Sequence, residues 1–333
     1  MAALEQSGYQ VLPIGIDTRG TWSVQSASRG ELEIRDGRLP AVVTTGDVVS
    51  PSAGGSLTAS NARSLADVDV VFPVLHGPWG EDGTIQGLLE LAAVPYVGSG
   101  VFASAAAMDK AQCKRLISSH GIPVVPSVLI TSRDWLHDRE ACLRQCAGLG
   151  LPVFVKPSRA GSSIGISKVN DATGLAAAID AAASHDPRVL VEAAVASARE
   201  IEVGVIADAQ GKPKASVPAE VIVRSGHEFY DFAAKYLDDA VDLVVPADVP
   251  EGTTKELQRI ACQAFEVLGC EGLARIDFFI AADGTVLLNE INTMPGFTSI
   301  SLFPRMWAAS GLDYPALVDH LVRDALRRGT GLR

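Results

Sequence analysis

Cysteine is scarce, and its pattern excludes two classes of site. The five cysteines, Cys113, Cys142, Cys146, Cys262 and Cys270, are odd in number, and no pair has C-x-x-C spacing. Neither a disulfide framework nor a zinc site is expected, and reduced, buried thiols in a cytoplasmic protein fit better. No run of roughly 18 apolar residues occurs, so no membrane span is expected. The first eight residues, Met1 to Gly8, contain no basic stretch followed by an apolar one, so they are not a signal peptide. No internal repeat at a fixed period is visible, which argues against a solenoid. Basic residues are in deficit: 28 Lys and Arg stand against 39 Asp and Glu, for a net charge of −11. That balance argues against nucleic acid as the main partner and leaves room for a local basic funnel that admits a small anion. Two phosphate-binding signatures are also absent. There is no P-loop, and no Gly-x-Gly-x-x-Gly follows a first strand, which disfavours a dehydrogenase.

What is present is a globular composition. The chain has 333 residues, 47% of them apolar and 20% charged, with a mean hydropathy of +0.22. This length and composition predict roughly two domains with a full core. The pattern predicts strands at Val11–Ile16, Val68–Leu75 and Pro95–Val97, and helices at Gly83–Ala92 and Ala103–His120. This alternation implies an α/β layer with a parallel sheet. Beyond Pro123 the predicted elements are strands at Val124–Ile130, Leu151–Lys156, Val189–Glu192 and Glu200–Ala207, with helices at Leu175–Ala183, Thr253–Leu268 and Tyr314–Arg328. An α/β part to about Met108 is thus followed by a longer α+β part.

The most informative stretch runs from Ala274 to Asn292. Asp283-Gly284 separates two β-rich runs and predicts a hairpin with a two-residue turn. In that register Asp277 falls opposite Glu290, and Arg275 opposite Asn292. Opposed residues, and residues two apart, share a sheet face, so all four converge. Two carboxylates and an amide oxygen form a hard, all-oxygen donor set suited to Mg²⁺ or Mn²⁺ rather than zinc. Arg275 is placed to stabilise developing negative charge. The alternative is a solvated polar hairpin face. Gly296, in the sharp exit Thr293-Met-Pro-Gly296, lets its N–H approach a ligand closely, or is simply a turn glycine.

Lys156 leads into Pro157-Ser-Arg-Ala-Gly-Ser162-Ser163-Ile-Gly165, a Gly/Ser loop whose N–H and hydroxyl donors suit phosphate oxygens. Alone, such a loop is better read as a flexible surface hairpin; Lys156 just before it strengthens the phosphate reading. His76 lies at the carboxyl end of a predicted strand, before a glycine-dense turn, where α/β proteins bind ligands; a capping or core histidine is the alternative. The loop Val223–Leu237 places Lys235 beside Tyr236, and loops of that length are often lids.

These residues resemble the D-alanine–D-alanine ligase family, within the ATP-grasp superfamily. The resemblance rests on His76-Gly-x-x-Gly-Glu-Asp-Gly-Thr-Ile-Gln-Gly87 and on Arg275-Ile-Asp277 with Glu290-Ile-Asn292-Thr-x-Pro-Gly296. Val97-Gly-Ser-Gly-Val, Met108-Asp-Lys110, Lys156-Pro-Ser-Arg-x-Gly-Ser-Ser163 and Ala234-Lys235-Tyr236 add to it, and the match runs from about Met1 to Arg328. It implies an ATP-grasp fold with an N-terminal α/β, Rossmann-like domain. The implied units are residues 1–108, a central grasp subdomain at 109–195 and a C-terminal one at 196–333. By the same resemblance, Lys110, Lys156 and Lys235 contact ATP phosphates, with Ser162 and Ser163 closing over them. Glu192 meets adenine and Glu200 the ribose. Asp277, Glu290 and Asn292 hold two Mg²⁺ (or Mn²⁺) ions. Arg275 and the Gly296 N–H stabilise an oxyanion. His76 lies near the first D-alanine, while Ser162 and Tyr236 orient the second, near Ser301 and Leu302. Tyr236 points to dipeptide rather than D-lactate-ended products. A cytoplasmic homodimer acting in peptidoglycan precursor synthesis is implied as well.

Two departures stand out. Ala193 replaces a lysine common after the adenine-side carboxylate. The family's first strand, of about five or six residues, and its Gly-Gly-x-Ser-x-Glu loop have no counterpart before the opening helix. A start codon assigned too late, or a shortened chain, accounts for this, and in-frame upstream codons for the strand and loop are the expectation. Two other readings remain: a ligase for another amino or hydroxy acid pair, and an ATP-binding protein inactive without that Glu.

Overall fold

The computed structural model describes residues 1–25, 48–49, 68–161, 164–223, 241–298 and 301–331. Its elements fall into three sheets with helices against them. The first part contains α1 (Ala2–Gln6), β1 (Ile14–Ile16), β2 (Trp22–Val24), β3 (Val48–Val49), α2 (Thr84–Leu91) and α3 (Val101–Met108). Here β1, β2 and β3 pair antiparallel. Among the described residues of this part, the parallel pairing expected from the β/α alternation is confined to a single bridge between Val71 and Tyr96. Val68–Leu75 is otherwise irregular, although Val71 still exchanges backbone bonds with Pro95 and Val97 at 2.8 and 2.9 Å.

The helix expected over Ala103–His120 is two helices, α3 and α4 (Lys110–Ser119). Asp109 divides them. Its side chain accepts from the Gln112 N–H at 3.2 Å and caps α4. It also accepts from the Ser158 hydroxyl at 2.7 Å and pairs with Arg188 at 2.9 Å. The break puts Lys110 at the start of a helix, beside the loop after Lys156.

The second sheet comprises β4 (Ser127–Thr131), β5 (Val153–Pro157), β6 (Ser167–Val169) and β7 (Arg188–Ala193), in the order β4-β7-β5-β6. The helices α5 (Ser132–His137), α6 (Arg139–Ala147) and α7 (Leu175–Ala183) cover it, around a core that includes Trp135, Ile179 and Val155. The third sheet comprises β8 (Arg199–Ala207), β9 (Pro213–Ala215), β10 (Ala219–Val223), β11 (Val241–Val244), β12 (Leu273–Ile280) and β13 (Val286–Asn292), with β8 and β12 central. The helix α8 (Glu251–Val267) packs its apolar face, Leu257, Ile260, Ala264 and Phe265, against one side. The helices α9 (Leu302–Ala309) and α10 (Tyr314–Arg328) bury Met306, Trp307 and Leu321 with Ile206 and Leu273.

The β12–β13 hairpin corrects one sequence assumption. Ala281 N–H donates to Thr285 at 2.9 Å and Gly284 N–H to Ala281 at 2.9 Å, so three residues rather than two make the connection. Gly284 takes φ +86°, a left-handed conformation that glycine adopts without strain. That extra residue alone would put Asp277 opposite Asn289. A bulge between Asp277 and Phe278 restores the expected pairs, Asp277 with Glu290 and Arg275 with Asn292.

Candidate functional site

Antiparallel register explains why the polar residues of β12 and β13 meet. Asp277 stands beside Glu290 on one side and beside Glu202 of β8 on the other, and Arg275 stands beside Asn292. All lie on the sheet face opposite α8. Arg275 donates through Nε and Nη2 to the two oxygens of Asp277, each at 2.7 Å, and Nε lies 3.0 Å from Glu202 Oε2. Asn292 Nδ2 donates to Asp277 Oδ2 at 3.0 Å. Burial alone would lower the Arg275 guanidinium, but Asp277, Glu202 and Glu290 hold it well above its ordinary value. It is therefore a fixed cation. Glu202 was not expected from the sequence. Its signal was the alternation Glu200-x-Glu202 in an otherwise apolar strand, which puts both carboxylates on Arg275's face.

Lys110 bridges this group to the loop after β5. Its Nζ donates to the Ala160 carbonyl at 2.8 Å and lies 3.5 Å from Glu290 Oε2. Lys156, on β5, pairs with Glu192 of β7. Lys114, also missed by the sequence analysis, lies one helical turn beyond Lys110 and reaches the other oxygen of Glu192 at 2.8 Å. Glu192 is 3% and Lys114 4% exposed. Burial works to raise the Glu192 carboxyl, yet the two ammonium groups hold it below its ordinary range. Burial pushes the Lys114 ammonium down, against the pull of Glu192. Two ammoniums around one carboxylate leave this buried group with an excess positive charge.

These residues open onto one cavity of about 1120 Å³ between the second and third sheets. His76, Lys110, Lys156, Glu192, Glu200, Arg275, Asp277, Glu290, Asn292, Gly296, Ser301 and Leu302 all line it. His76 Nδ1 lies 3.5 Å from Glu81, whose other oxygen accepts from the Gly77 N–H at 3.0 Å. Ser301 Oγ accepts from the Thr298 N–H at 3.1 Å. Ser162, Ser163, Lys235 and Tyr236 lie outside the described residues. The cysteines are not part of the site: Cys113 and Cys270 are buried, and burial pushes both thiols up to about 12.

A cleft between two antiparallel sheets, lined by Lys156 from one, a carboxylate–amide group from the other and Lys110 reaching between them, has known counterparts. The family model "D-ala D-ala ligase N-terminus" matches residues 1–99, and "D-ala D-ala ligase C-terminus" matches residues 116–323. A D-alanine–D-alanine ligase of Kineococcus radiotolerans is 51% identical, over 100% of this chain and 92% of its own length. The chain belongs to the D-alanine–D-alanine ligase family. Among solved structures, the D-alanine–D-alanine ligase of Coxiella burnetii superimposes with a TM-score of 0.78 at 34% identity, covering 95% of this chain and 84% of its own. The VanG D-Ala:D-Ser ligase of Enterococcus faecalis does so with a TM-score of 0.80 at 33% identity, covering 97% and 93%. The architecture is accordingly the ATP-grasp fold of this ligase family.

The donor chemistry fits a hard divalent ion. Asp277, Glu290 and Asn292 offer only oxygen and amide groups, on adjoining strands and at the cavity surface. No group of three His, Cys, Asp or Glu suited to a metal occurs among the described residues, so a set of two carboxylates and an amide would need phosphate and water as its remaining ligands. No helix among the described residues is long and apolar enough to cross a membrane.

Proposed function

We propose that this chain joins two D-alanine molecules into D-alanyl-D-alanine with ATP, for peptidoglycan precursor synthesis. The single observation that carries this is the pairing of a fixed Arg275–Asp277–Asn292 group with Lys110 and Lys156 across one cavity, within a chain of this ligase family. A carboxylate oxygen of the first D-alanine attacks the γ-phosphorus of ATP, the bond to the β-phosphate oxygen breaks, and ADP leaves. The product is D-alanyl phosphate. The amine of the second D-alanine attacks its carbonyl carbon, giving a tetrahedral oxyanion. The C–O bond to phosphate then breaks, the nitrogen gives up a proton, and phosphate leaves with the peptide formed.

The residues divide these tasks. Lys110 and Lys156 neutralise ATP phosphates. Glu192 lies on the adenine side and Glu200 on the ribose side. Arg275 stays protonated throughout and is aimed by Asp277 and Glu202, so it offers positive charge to the oxyanion without reorganising. The Gly296 N–H is the second donor. Asp277, Glu290 and Asn292 hold two Mg²⁺ or Mn²⁺ ions, which when bound withdraw charge from the phosphates. His76 faces the first D-alanine, and Ser301 and Leu302 face the second, with Ser162, Ser163, Lys235 and Tyr236 completing the two sites. We place the domain boundaries at residues 108/109 and 195/196, the protein in the cytoplasm and the active form as a homodimer.

The similarity to a D-Ala:D-Ser ligase makes the second substrate the point to test. Phosphate release from Mg·ATP should require D-alanine, and in equimolar D-alanine, D-serine and D-lactate the product identified by mass should be D-alanyl-D-alanine. A predominant D-alanyl-D-serine or D-alanyl-D-lactate product would reassign the specificity. Nucleotide binding without turnover would make the protein a nucleotide binder.

A further inference from the structure

The backbone on both flanks of Gly296 is fastened to other parts of the molecule. On the upstream side the Leu75 N–H donates to Met294 Sδ at 3.2 Å, which ties the stretch to the segment just before His76. Downstream, the Tyr314 hydroxyl donates to the Phe297 carbonyl at 2.8 Å. The Phe297 ring is held among Phe72, Phe303 and Tyr314, with centroid separations of 5.2, 5.9 and 5.8 Å. Pro295 between the two ties restricts the backbone further. The Gly296 N–H itself has no acceptor among the described residues, and it sits at the cavity wall. Tyr314 does not line that cavity, and its hydroxyl is spent on a backbone carbonyl.

A donor that stabilises a developing oxyanion is effective only when it is aimed before the charge appears. We propose that Tyr314 is a positioning residue for ligation: its hydrogen bond to Phe297, opposed by the Leu75–Met294 tie, aims the Gly296 N–H at the reacting carbonyl. The inference rests on the ligase reading and adds to it a residue that does not itself line the cavity. It assigns the Met294 thioether a function as an acceptor rather than as core filler.

The test is steady-state kinetics of the full chain with Tyr314→Phe, with p-aminophenylalanine at 314, and with Met294→Leu. Tyr314→Phe keeps the ring and removes one hydrogen bond, so kcat should fall about two- to tenfold while KM for ATP changes less than about twofold. p-Aminophenylalanine restores a donor and should recover most of kcat. Met294→Leu keeps the volume, removes the acceptor and should lower kcat in the same direction. It carries the same test if the Tyr314 variant folds poorly. A Tyr314→Phe enzyme with wild-type kcat, whatever its Tm, overturns the proposal, as does a loss that the restored donor leaves unrepaired. Dipeptide synthesis by the wild type is the internal standard: an active wild type with an equally active variant refutes only this role, whereas an inactive wild type refutes the ligase reading and the role with it.

Discussion

Asp277→Asn is expected to lower kcat/KM about a thousandfold, the scale of losing a preorganised charge at a reacting centre. Two effects combine. The Asp277 carboxylate is one of the two at the cavity surface proposed for the metal ions. It also accepts both guanidinium bonds from Arg275 at 2.7 Å and one from Asn292 at 3.0 Å. An amide keeps the shape but presents one oxygen to three donors, so Arg275 loses its fixed aim. Glu290→Gln separates the two contributions. Glu290 sits 3.5 Å from Lys110, while Arg275 spends two guanidinium bonds on Asp277 at 2.7 Å, so Glu290→Gln tests the proposed metal and phosphate role with that pair still in place. Both variants should be strongly impaired, and Asp277→Asn should lose more thermal stability than Glu290→Gln. A nearly wild-type Asp277→Asn enzyme would remove the hairpin from the chemistry.

The second large effect is on stability. Glu192→Gln should destabilise the fold by about 3–5 kcal/mol, because breaking a buried ionic group leaves an uncompensated charge behind. The stranded charge is Lys114, 4% exposed and 2.8 Å from the carboxylate. Adding Lys114→Met removes that charge and should recover a large part of the loss, an outcome that simple loss of packing would not produce. The pH dependence has a definite sign. The two ammonium groups hold the Glu192 carboxyl below its ordinary value in the folded protein, so its contribution is fully present above the unfolded-state value of about 4.3 and is lost as pH falls through the folded value. Glu192→Gln should flatten that acid limb. Denaturant unfolding at several pH values measures both effects. A loss under about 1 kcal/mol, with an unchanged acid limb, would contradict this account of the triad.

The hairpin shows what the sequence could and could not carry. The alternation Arg275-x-Asp277 and Glu290-x-Asn292 has a period of two, which puts the first pair on one face of its strand and the second pair on one face of its own. That the two faces coincide depends on register, and the expected pairing of Asp277 with Glu290 is the one found. The turn was not legible: the connection is one residue longer than Asp283-Gly284 implied, and the Asn289 bulge cancels the difference. Local sequence specifies a turn only loosely, whereas a buried polar face penalises any slip of register strongly. The helix break at Asp109 was missed for a related reason. The apolar pattern of 103–120 is continuous, and what ends α3 is a cap reinforced by Ser158, just after β5, and by Arg188, at the start of β7. Lys114 and Glu202 are tertiary partners of residues that were found, and nothing local distinguishes a buried paired lysine from a solvated one. In the N-terminal part, short β/α alternation implied a parallel sheet, but the described residues keep one parallel bridge there beside an antiparallel ribbon. Lys110, Lys156, Glu192, Glu200, Asp277, Glu290 and Gly296, by contrast, were each singled out beforehand and all line the same cavity.

The central claim is that this cavity joins two D-alanines through D-alanyl phosphate. The measurement that tests it most directly uses D-alanine labelled with ¹⁸O in its carboxylate, together with Mg·ATP. The account predicts D-alanyl-D-alanine and inorganic phosphate in equal amounts, each phosphate carrying one ¹⁸O atom from the carboxylate that attacked the γ-phosphorus. Phosphate free of ¹⁸O, or ATP consumed without a D-alanine dipeptide, would contradict it.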